Sequence, residues 1–426
     1  MKALDRQKAI YTAGFSGKRP KVPTNHILLE QKASEIAPEK GFAYIVGGAG
    51  SQDTIRNNRS GFKRWSIVPR MLRDVSERDL STTLLGRQLP APILTAPIGV
   101  LDLVHPDGDL AVGRACSKLG VPMIFSNQAS YPMETCAAEM GDSPRWFQLY
   151  WSKSNALVES FLQRAEACGC EALVVTLDTT MLGWRPMDLD LGFLPFSYAK
   201  GIGQYVSDPV FQQLVGDPSK AAKIETDGGF SWTKLFNFLR LVKNYKGGGS
   251  FSKNFKTKLP VAAVRKFTDI YSRPSISWTE LEWLKSKTKL PIILKGILHP
   301  QDAQLAIDHG ADGIIVSNHG GRQIGGSIAA IDALPVVVAQ VQNKIPVLMD
   351  SGIRDGADIF KALALGANAV CIGRPYTYGL AIDGAKGVEA VLLNLIAELE
   401  LTMGLSGCRK IDEIQASMLI KTDHYV

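Results

Sequence analysis

A chain of 426 residues can form one large α/β barrel or two domains, and its ordinary composition, 45% hydrophobic and 21% charged, excludes a fibre or a disordered chain. No run approaches the roughly 18 apolar residues of a membrane span, and the first twenty residues hold no apolar stretch of the secretory kind. The net charge of +7 is concentrated in residues 218–277, with 12 Lys/Arg against 3 Asp/Glu, so no basic groove for nucleic acid runs through the fold.

Along the chain, short apolar runs recur: "APILTAP" (91–97), "VPMIFSN" (121–127), "RWFQLYW" (145–151), "ALVVTLD" (172–178), "LPIILKG" (290–296), "GIIVSNH" (313–319), "IPVLMDSG" (345–352) and "AVCIGRP" (369–375). Continuous rather than alternating apolar character marks strands buried on both faces, as in a parallel sheet. Helix patterns such as "DLAVGRACSKLG" and "DGADIFKALALG" lie between them and end in glycine, a C-cap signal. Eight such units predict an α/β fold, a (β/α)8 TIM barrel after an N-terminal helical segment, with residues 1–426 read as a single domain. A doubly wound sheet is the competitor, but "GGAGSQ" and "GIGQYV" both lack the third glycine of a dinucleotide fingerprint.

The rhythm breaks between the fourth and fifth units, where residues 186–277 form a long basic insertion. Its "GGGS" and scattered lysines suggest a mobile loop, and "WTKLFNFLRLV" a short amphipathic helix. A lid or subunit contact is favoured over membrane contact through 186–277, because the helix is too short to span. The six cysteines sit mostly in apolar contexts. Cys168 and Cys170 lack a second pair or a nearby histidine, so no metal site is expected and the cysteines read as reduced, in a cytoplasmic protein.

In such barrels the active site gathers at the C-terminal strand ends. Those ends carry Pro97, Ile98 and Gly99, then Ser126, Gln148 with Tyr150, Thr176 with Asp178, Lys295, Ser317 with His319 and Arg322, Asp350 to Arg354, and Gly373 with Arg374. "DSGIRDG" and "IGRP" place glycines and arginines where barrels commonly hold a phosphate. The competing reading is that Asp350 and Arg354 simply pair across a turn. Lys295 suits either a Schiff base or a fixed positive charge beside an electron-accepting ring. "VSNHGGRQ" (316–323) is either a turn or a base, His319, spaced from an anion clamp, Arg322. The other five histidines precede prolines, end helices or lie near the termini, and carry no site expectation.

"VSNHGGRQ", "DSGIRDGADIFKALALGANAVCIGRP" and "LTMGLSGCR" together resemble the FMN-dependent α-hydroxy-acid oxidase and dehydrogenase family, from about Gly41 to the C-terminus apart from the insertion. The resemblance implies an FMN cofactor, with Pro97, Ile98 and Gly99 along the flavin edge and Ser126, Gln148 and Thr176 bonded to its ring. It puts Lys295 near the ring nitrogen that gains charge on reduction and counts Ser317 among the cofactor-binding residues. Asp350, Ser351, Gly352, Arg354, Gly373 and Arg374 would hold ribityl and phosphate. The substrate would be a small 2-hydroxy acid touched by Tyr44 and Tyr150, its carboxylate clamped by Arg185 and Arg322. His319 would be the base and Asp178 the group steadying it.

Gly99 stands where the family often has alanine. With the long "LDLGFLPF…SDPVF" region, it resembles lactate 2-monooxygenases, in which pyruvate is held while O2 reoxidises the flavin and is decarboxylated to acetate, CO2 and water. An oxidase releasing the 2-keto acid and peroxide is the first alternative. A quinone-linked dehydrogenase touching a membrane through the basic insertion is the second, and a flavin-binding subunit without activity the last. No haem domain is expected before the barrel, and the family resemblance implies a homo-oligomer, a tetramer or octamer.

Overall fold

The computed structural model describes residues 3–216 and 231–422. Eight short strands form a closed parallel barrel: β1 (Ile93–Thr95), β2 (Met123–Phe125), β3 (Arg145–Leu149), β4 (Leu173–Thr176), β5 (Ile292–Ile297), β6 (Gly313–Val316), β7 (Val347–Met349) and β8 (Ala369–Ile372), with β8 pairing back onto β1. Every apolar run predicted from the sequence coincides with one of them; seven strands lie inside their runs, and β5 extends one residue past its run, to Ile297.

The two-residue period of a strand sorts its side chains. Leu94, Ile124, Trp146, Val174, Ile293, Ile315 and Leu348 fill the barrel interior. Their neighbours Ile93, Phe125, Phe147, Val175, Leu294, Ile314 and Val347 face the surrounding helices and join the larger outer core. Leu84 and Leu89, from the antiparallel hairpin Thr82–Leu84 and Arg87–Leu89 just before β1, join the interior cluster. Strand interiors are thus spent on packing, and chemistry is left to the loops at the strands' C-terminal ends.

The N-terminal segment is helical as predicted, with helices Ala3–Phe15, His26–Ile36, Glu39–Val46 and Asp53–Lys63. The last is tied to the loop after β6 by a reciprocal buried amide pair: Asn58 Nδ2 donates to Asn318 Oδ1 at 2.9 Å, and Asn318 Nδ2 to Asn58 Oδ1 at 2.7 Å. Gly352 lies against the Asn58 main chain, where a Cβ would come within 2.8 Å of its carbonyl oxygen.

The insertion corrects one expectation. Instead of a mobile loop, its described part is a helical layer, with Pro186–Asp190, Gly203–Val206, Pro209–Val215, Trp232–Asn244, Phe251–Thr257 and Leu259–Ile270. The reason is an aromatic core too sparse in sequence to show a period. Tyr205 meets Phe161, Phe211 and Phe267 edge-on at centroid distances of 5.1, 5.5 and 4.7 Å, and Phe196 packs on Phe267 at 5.0 Å. The amphipathic helix expected at "WTKLFNFLRLV" is present and buries Leu241 and Val242. Residues 217–230, which include two of the counted lysines, and His424 lie outside the described residues. Among the described residues no helix is long and apolar enough to cross a membrane.

The Asn58–Asn318 pair gives a stability test. Asn58→Ala leaves a buried amide unsatisfied and is expected to lower stability by about 1–3 kcal/mol. This would be read as a lower urea midpoint at unchanged slope.

Candidate active site

The C-terminal mouth of the barrel opens into a cleft of about 1000 Å³. Its lining includes Tyr44, Pro97, Ile98, Gly99, Tyr150, Arg185, Lys295, His319, Arg322, Asp350, Ser351, Gly352, Arg354, Gly373 and Arg374. Asp178 and Ser317 stand just behind it, bonded to lining residues. Residues scattered over some 330 positions therefore meet in one place, most of them because every parallel strand ends at the same rim, and Tyr44 because the helix Glu39–Val46 packs beside it.

At the centre, His319 Nδ1 lies 2.7 Å from Asp178 Oδ1 and 3.1 Å from Thr179 Oγ1. The carboxylate favours the tautomer with its proton on Nδ1, which leaves Nε2 as the basic nitrogen. Burial pushes the His319 imidazole below its ordinary value of 6.5, against the opposing pull of Asp178, so the ring is neutral near pH 7. Burial would raise Asp178, but His319 and Lys295 outweigh it and bring it down to about 2.

Lys295 is the hub of this mouth. Its ammonium lies 3.1 Å from Asp350 Oδ2, 4.0 Å from Asp178 Oδ2 and 2.8 Å from Ser317 Oγ. Burial alone would lower Lys295, yet the Asp350 and Asp178 carboxylates hold it above the usual lysine range. A lysine so held is a fixed cation, not a neutral amine ready for a Schiff base. Asp350 is thus engaged by Lys295 and by the Ser351 hydroxyl, which donates at 2.6 Å. The alternative of an Asp350–Arg354 turn pair is not what forms: Arg354 Nη1 donates to Ile353 O and its backbone N–H to Asp358.

Two non-glycine residues here adopt left-handed backbone, His319 at φ 58° and Ser351 at φ 76°. Such conformations cost about 1–3 kcal/mol and persist where the surroundings over-determine them. Here the restraints are explicit. Ser317 Oγ accepts from His319 N at 3.0 Å, and Ser351 Oγ accepts from Gly320 N at 2.9 Å. The glycine next to His319 is itself at φ 64°.

The anion side is built from two guanidiniums. Arg322 donates to the carbonyls of Tyr44 and Gly47 and lies 4.8 Å from the Tyr44 ring centre. Arg185 donates to Arg322 O at 3.1 Å and to Gln323 Oε1 at 2.7 Å, and Gln323 donates in turn to Asp178 O at 2.8 Å. Burial and the neighbouring Arg185 push Arg322 down to about 9, a penalty that an arriving carboxylate relieves. Tyr150 is buried, and burial with the nearby Asp178 raises its phenol above the usual range, so it enters as a neutral hydroxyl.

The residues also fit a flavin. Gln148 Nε2 and Thr176 Oγ1, at the ends of β3 and β4, are buried and have no hydrogen-bond partner among the described residues. Gln148 Oε1 already accepts from Asn127 N at 3.1 Å, so its NH2 group is the part left over. Unsatisfied buried donors are rare, and a polar ring edge bound beside them would complete them. Ser126 Oγ, in contrast, accepts from Gln128 N at 3.1 Å. At the phosphate end, Gly373 opens the helix Arg374–Leu405, whose N-terminus suits an anion. The Arg374 guanidinium itself donates to the carbonyls of Ile45, Val46, Gly47 and Gly320, fastening the helix that carries Tyr44 to the loop after β6.

Sequence reasoning did not single out Thr179, Gln128, Phe196, Tyr271 or Gln323. Gln323 was within reach, as the last residue of "VSNHGGRQ". Phe196 and Tyr271 line the cleft from the insertion, and no local pattern marks them.

A family model described as FMN-dependent dehydrogenase matches residues 33–421. The L-lactate oxidase of Lysinibacillus sphaericus is 42% identical over 93% of this chain and 92% of its own length. Human 2-hydroxyacid oxidase 1 is 38% identical over 92% of this chain and 95% of its own. Among solved structures, that of a Pediococcus acidilactici lactate oxidase superposes with a TM-score of 0.75 at 32% identity, covering 94% of this chain and 95% of that one.

His319→Gln keeps the ring's volume but not its basicity. It is expected to leave folding and flavin binding intact and to slow flavin reduction by about 10²–10⁴-fold in stopped flow. With His319 as the expected base, only its neutral form can take a proton, and burial lowers its pKa. Reduction should therefore be full at neutral pH and fall as pH drops through a midpoint below 6.5, the ordinary histidine value.

Proposed function

The chain belongs to the FMN-dependent α-hydroxy-acid oxidase and dehydrogenase family, and on that footing we propose that it oxidises L-lactate with O2 as acceptor, converting it to acetate, CO2 and water. The observation that carries the hydroxy-acid part is the His319–Asp178 pair at 2.7 Å, in one cleft with the Arg185 and Arg322 guanidiniums.

Bound FMN supplies a two-electron acceptor. Arg322 and Arg185 bind the substrate carboxylate and so fix which face of Cα is presented. Tyr44 and Tyr150 offer their hydroxyls to the substrate's oxygen. His319 Nε2 accepts the proton, and the imidazolium that results is stabilised by Asp178, already ionised at 2.7 Å. Asp178 and Asp350 together keep Lys295 positive, so a cation stands ready where charge arrives on oxidation of the substrate.

The decarboxylating outcome requires that pyruvate stay bound while dioxygen takes the two electrons, so that the peroxide formed meets the keto acid inside the cleft. What supports this is the insertion, which supplies Phe196 and Tyr271 to the cleft wall as parts of a packed layer. The glycine at 99 supports it less directly than its sequence position suggests. A Cβ there would meet Gln128 Cβ at 2.9 Å and Gln128 O at 3.0 Å, so close packing of the loops after β1 and β2 already calls for glycine. The second reading, an oxidase releasing pyruvate and peroxide, is favoured by the L-lactate oxidase name of a relative at 42% identity.

Aerobic turnover of L-lactate, with oxygen uptake, peroxide, pyruvate and acetate followed together, decides between them. Acetate and CO2 without free peroxide are expected; pyruvate with stoichiometric peroxide would make the protein an oxidase. Gly99→Ala must displace Gln128 in the cleft wall. It is expected to divert part of the product from acetate to pyruvate plus peroxide, measured in the same assay.

A further inference from the structure

The insertion reaches the cleft through Phe196, in the turn Pro195–Tyr198, beside Gly99 and Gln128. This turn is fastened by polar contacts that the chemistry above does not use. Asn244 Nδ2, ending the helix Trp232–Asn244, donates to Tyr198 O at 3.0 Å. Lys200 Nζ, two residues past the turn, pairs with Asp102 Oδ2 at 2.9 Å in the loop after β1. Lys246 Nζ donates to Ser130 O at 2.9 Å in the loop after β2, lies 3.5 Å from the centre of the Tyr131 ring, and is 3.9 Å from Asp102 Oδ2.

The two barrel loops are locked to each other at the same spot. Ser130 Oγ accepts from Asp102 N at 3.1 Å, and Ser130 N donates to the buried Asp109 carboxylate at 2.8 Å. There is no slack between layers: a Cβ on Gly201 would fall 2.5 Å from Val100 Cγ2, 3.1 Å from Phe196 Cε1 and 3.2 Å from Gln128 O. Asp102 is nearly buried and Lys200 largely so. The Lys200–Asp102 contact is screened less than an exposed surface pair, and Lys246, more exposed, adds a hydrogen bond to the Ser130 carbonyl and a stacking contact on Tyr131.

We propose that Lys246, acting with Lys200 and Asn244, is a positioning residue that sets how long a substrate side chain the cleft accepts. By pinning the insertion to Asp102 and Ser130, it holds Phe196 against the Gly99–Gln128 wall and closes the cleft to 2-hydroxy acids with chains much longer than a methyl group. The proposal rests on the hydroxy-acid reading given above.

The test uses the full chain loaded with FMN, as wild type, Lys246→Met, Lys246→Arg and Lys200→Met. Anaerobic flavin reduction is followed with L-lactate and with L-2-hydroxy acids one to three methylenes longer, alongside hydrogen exchange of residues 195–206. In Lys246→Met the preference should shift toward the longer acids by about tenfold. The shift should lie in the half-saturating concentration, with the limiting rate on lactate retained, exchange at 195–206 faster, and the wild-type ratio kept by Lys246→Arg.

An unchanged ratio in a methionine variant whose exchange has risen would overturn the proposal, as would equal loss on every acid. If Lys246→Met does not fold, Lys200→Met is judged by the same two criteria. If no 2-hydroxy acid reduces the wild type, the functional reading fails on its own. The exchange data then judge the anchoring, which unchanged protection in the methionine variants would overturn.

Discussion

The site depends on a buried cation placed between a buried carboxylate, Asp350, and a largely buried one, Asp178. Lys295, within β5, faces Asp350 just past β7 and Asp178 just past β4, and through Asp178 it reaches His319. Removing one member of such a set would strand a charge in a low-dielectric interior, which typically costs 3–5 kcal/mol. The arrangement sets three protonation states together: a charged lysine, an ionised Asp178 and a neutral imidazole. The proposed roles, His319 as a base near pH 7 and Lys295 as a cation facing negative charge, need all three.

Around this chain the fold supplies restraint. Ser317 and Ser351 hold His319 and Gly320 in backbone conformations that an unrestrained chain seldom adopts. Arg374 and Arg322 tie the helix that carries Tyr44 to the loop after β6, so the N-terminal segment becomes part of the cleft wall. The insertion adds Phe196 and Tyr271 to the wall. Its lysines, which in sequence look like a solvated basic run, include two that reach back to Asp102.

Much of this was legible in the sequence where a residue's job is local. Eight continuous apolar runs marked the barrel because strands buried on both faces have nothing polar to alternate with. Polar residues placed just past those runs marked the rim, which is why His319, Arg322, Asp178 and Lys295 could be named. What was not legible depends on contacts distant in sequence. The aromatic core joining Phe161, Tyr205, Phe211 and Phe267 has no period, so the insertion read as a loop. Gly99 read as missing bulk near a cofactor, whereas its neighbour in space, Gln128, already leaves a side chain there no room. That Arg374 spends its donors on carbonyls of residues 45–47 and 320 likewise follows only from the three-dimensional arrangement.

The central claim is that Asp178 holds His319 ready and stabilises the imidazolium it becomes. The most direct measurement is the pH dependence of anaerobic flavin reduction by L-lactate in Asp178→Asn beside the wild type. Asp178 raises the His319 pKa against the effect of burial, so its neutralisation should move the acidic limb to lower pH. The same change should slow the plateau rate at least about 100-fold, because the imidazolium loses its counter-ion. A slower enzyme with an acidic limb displaced downward is the predicted result. An unchanged rate, or a limb that stays in place or moves upward, would contradict the account.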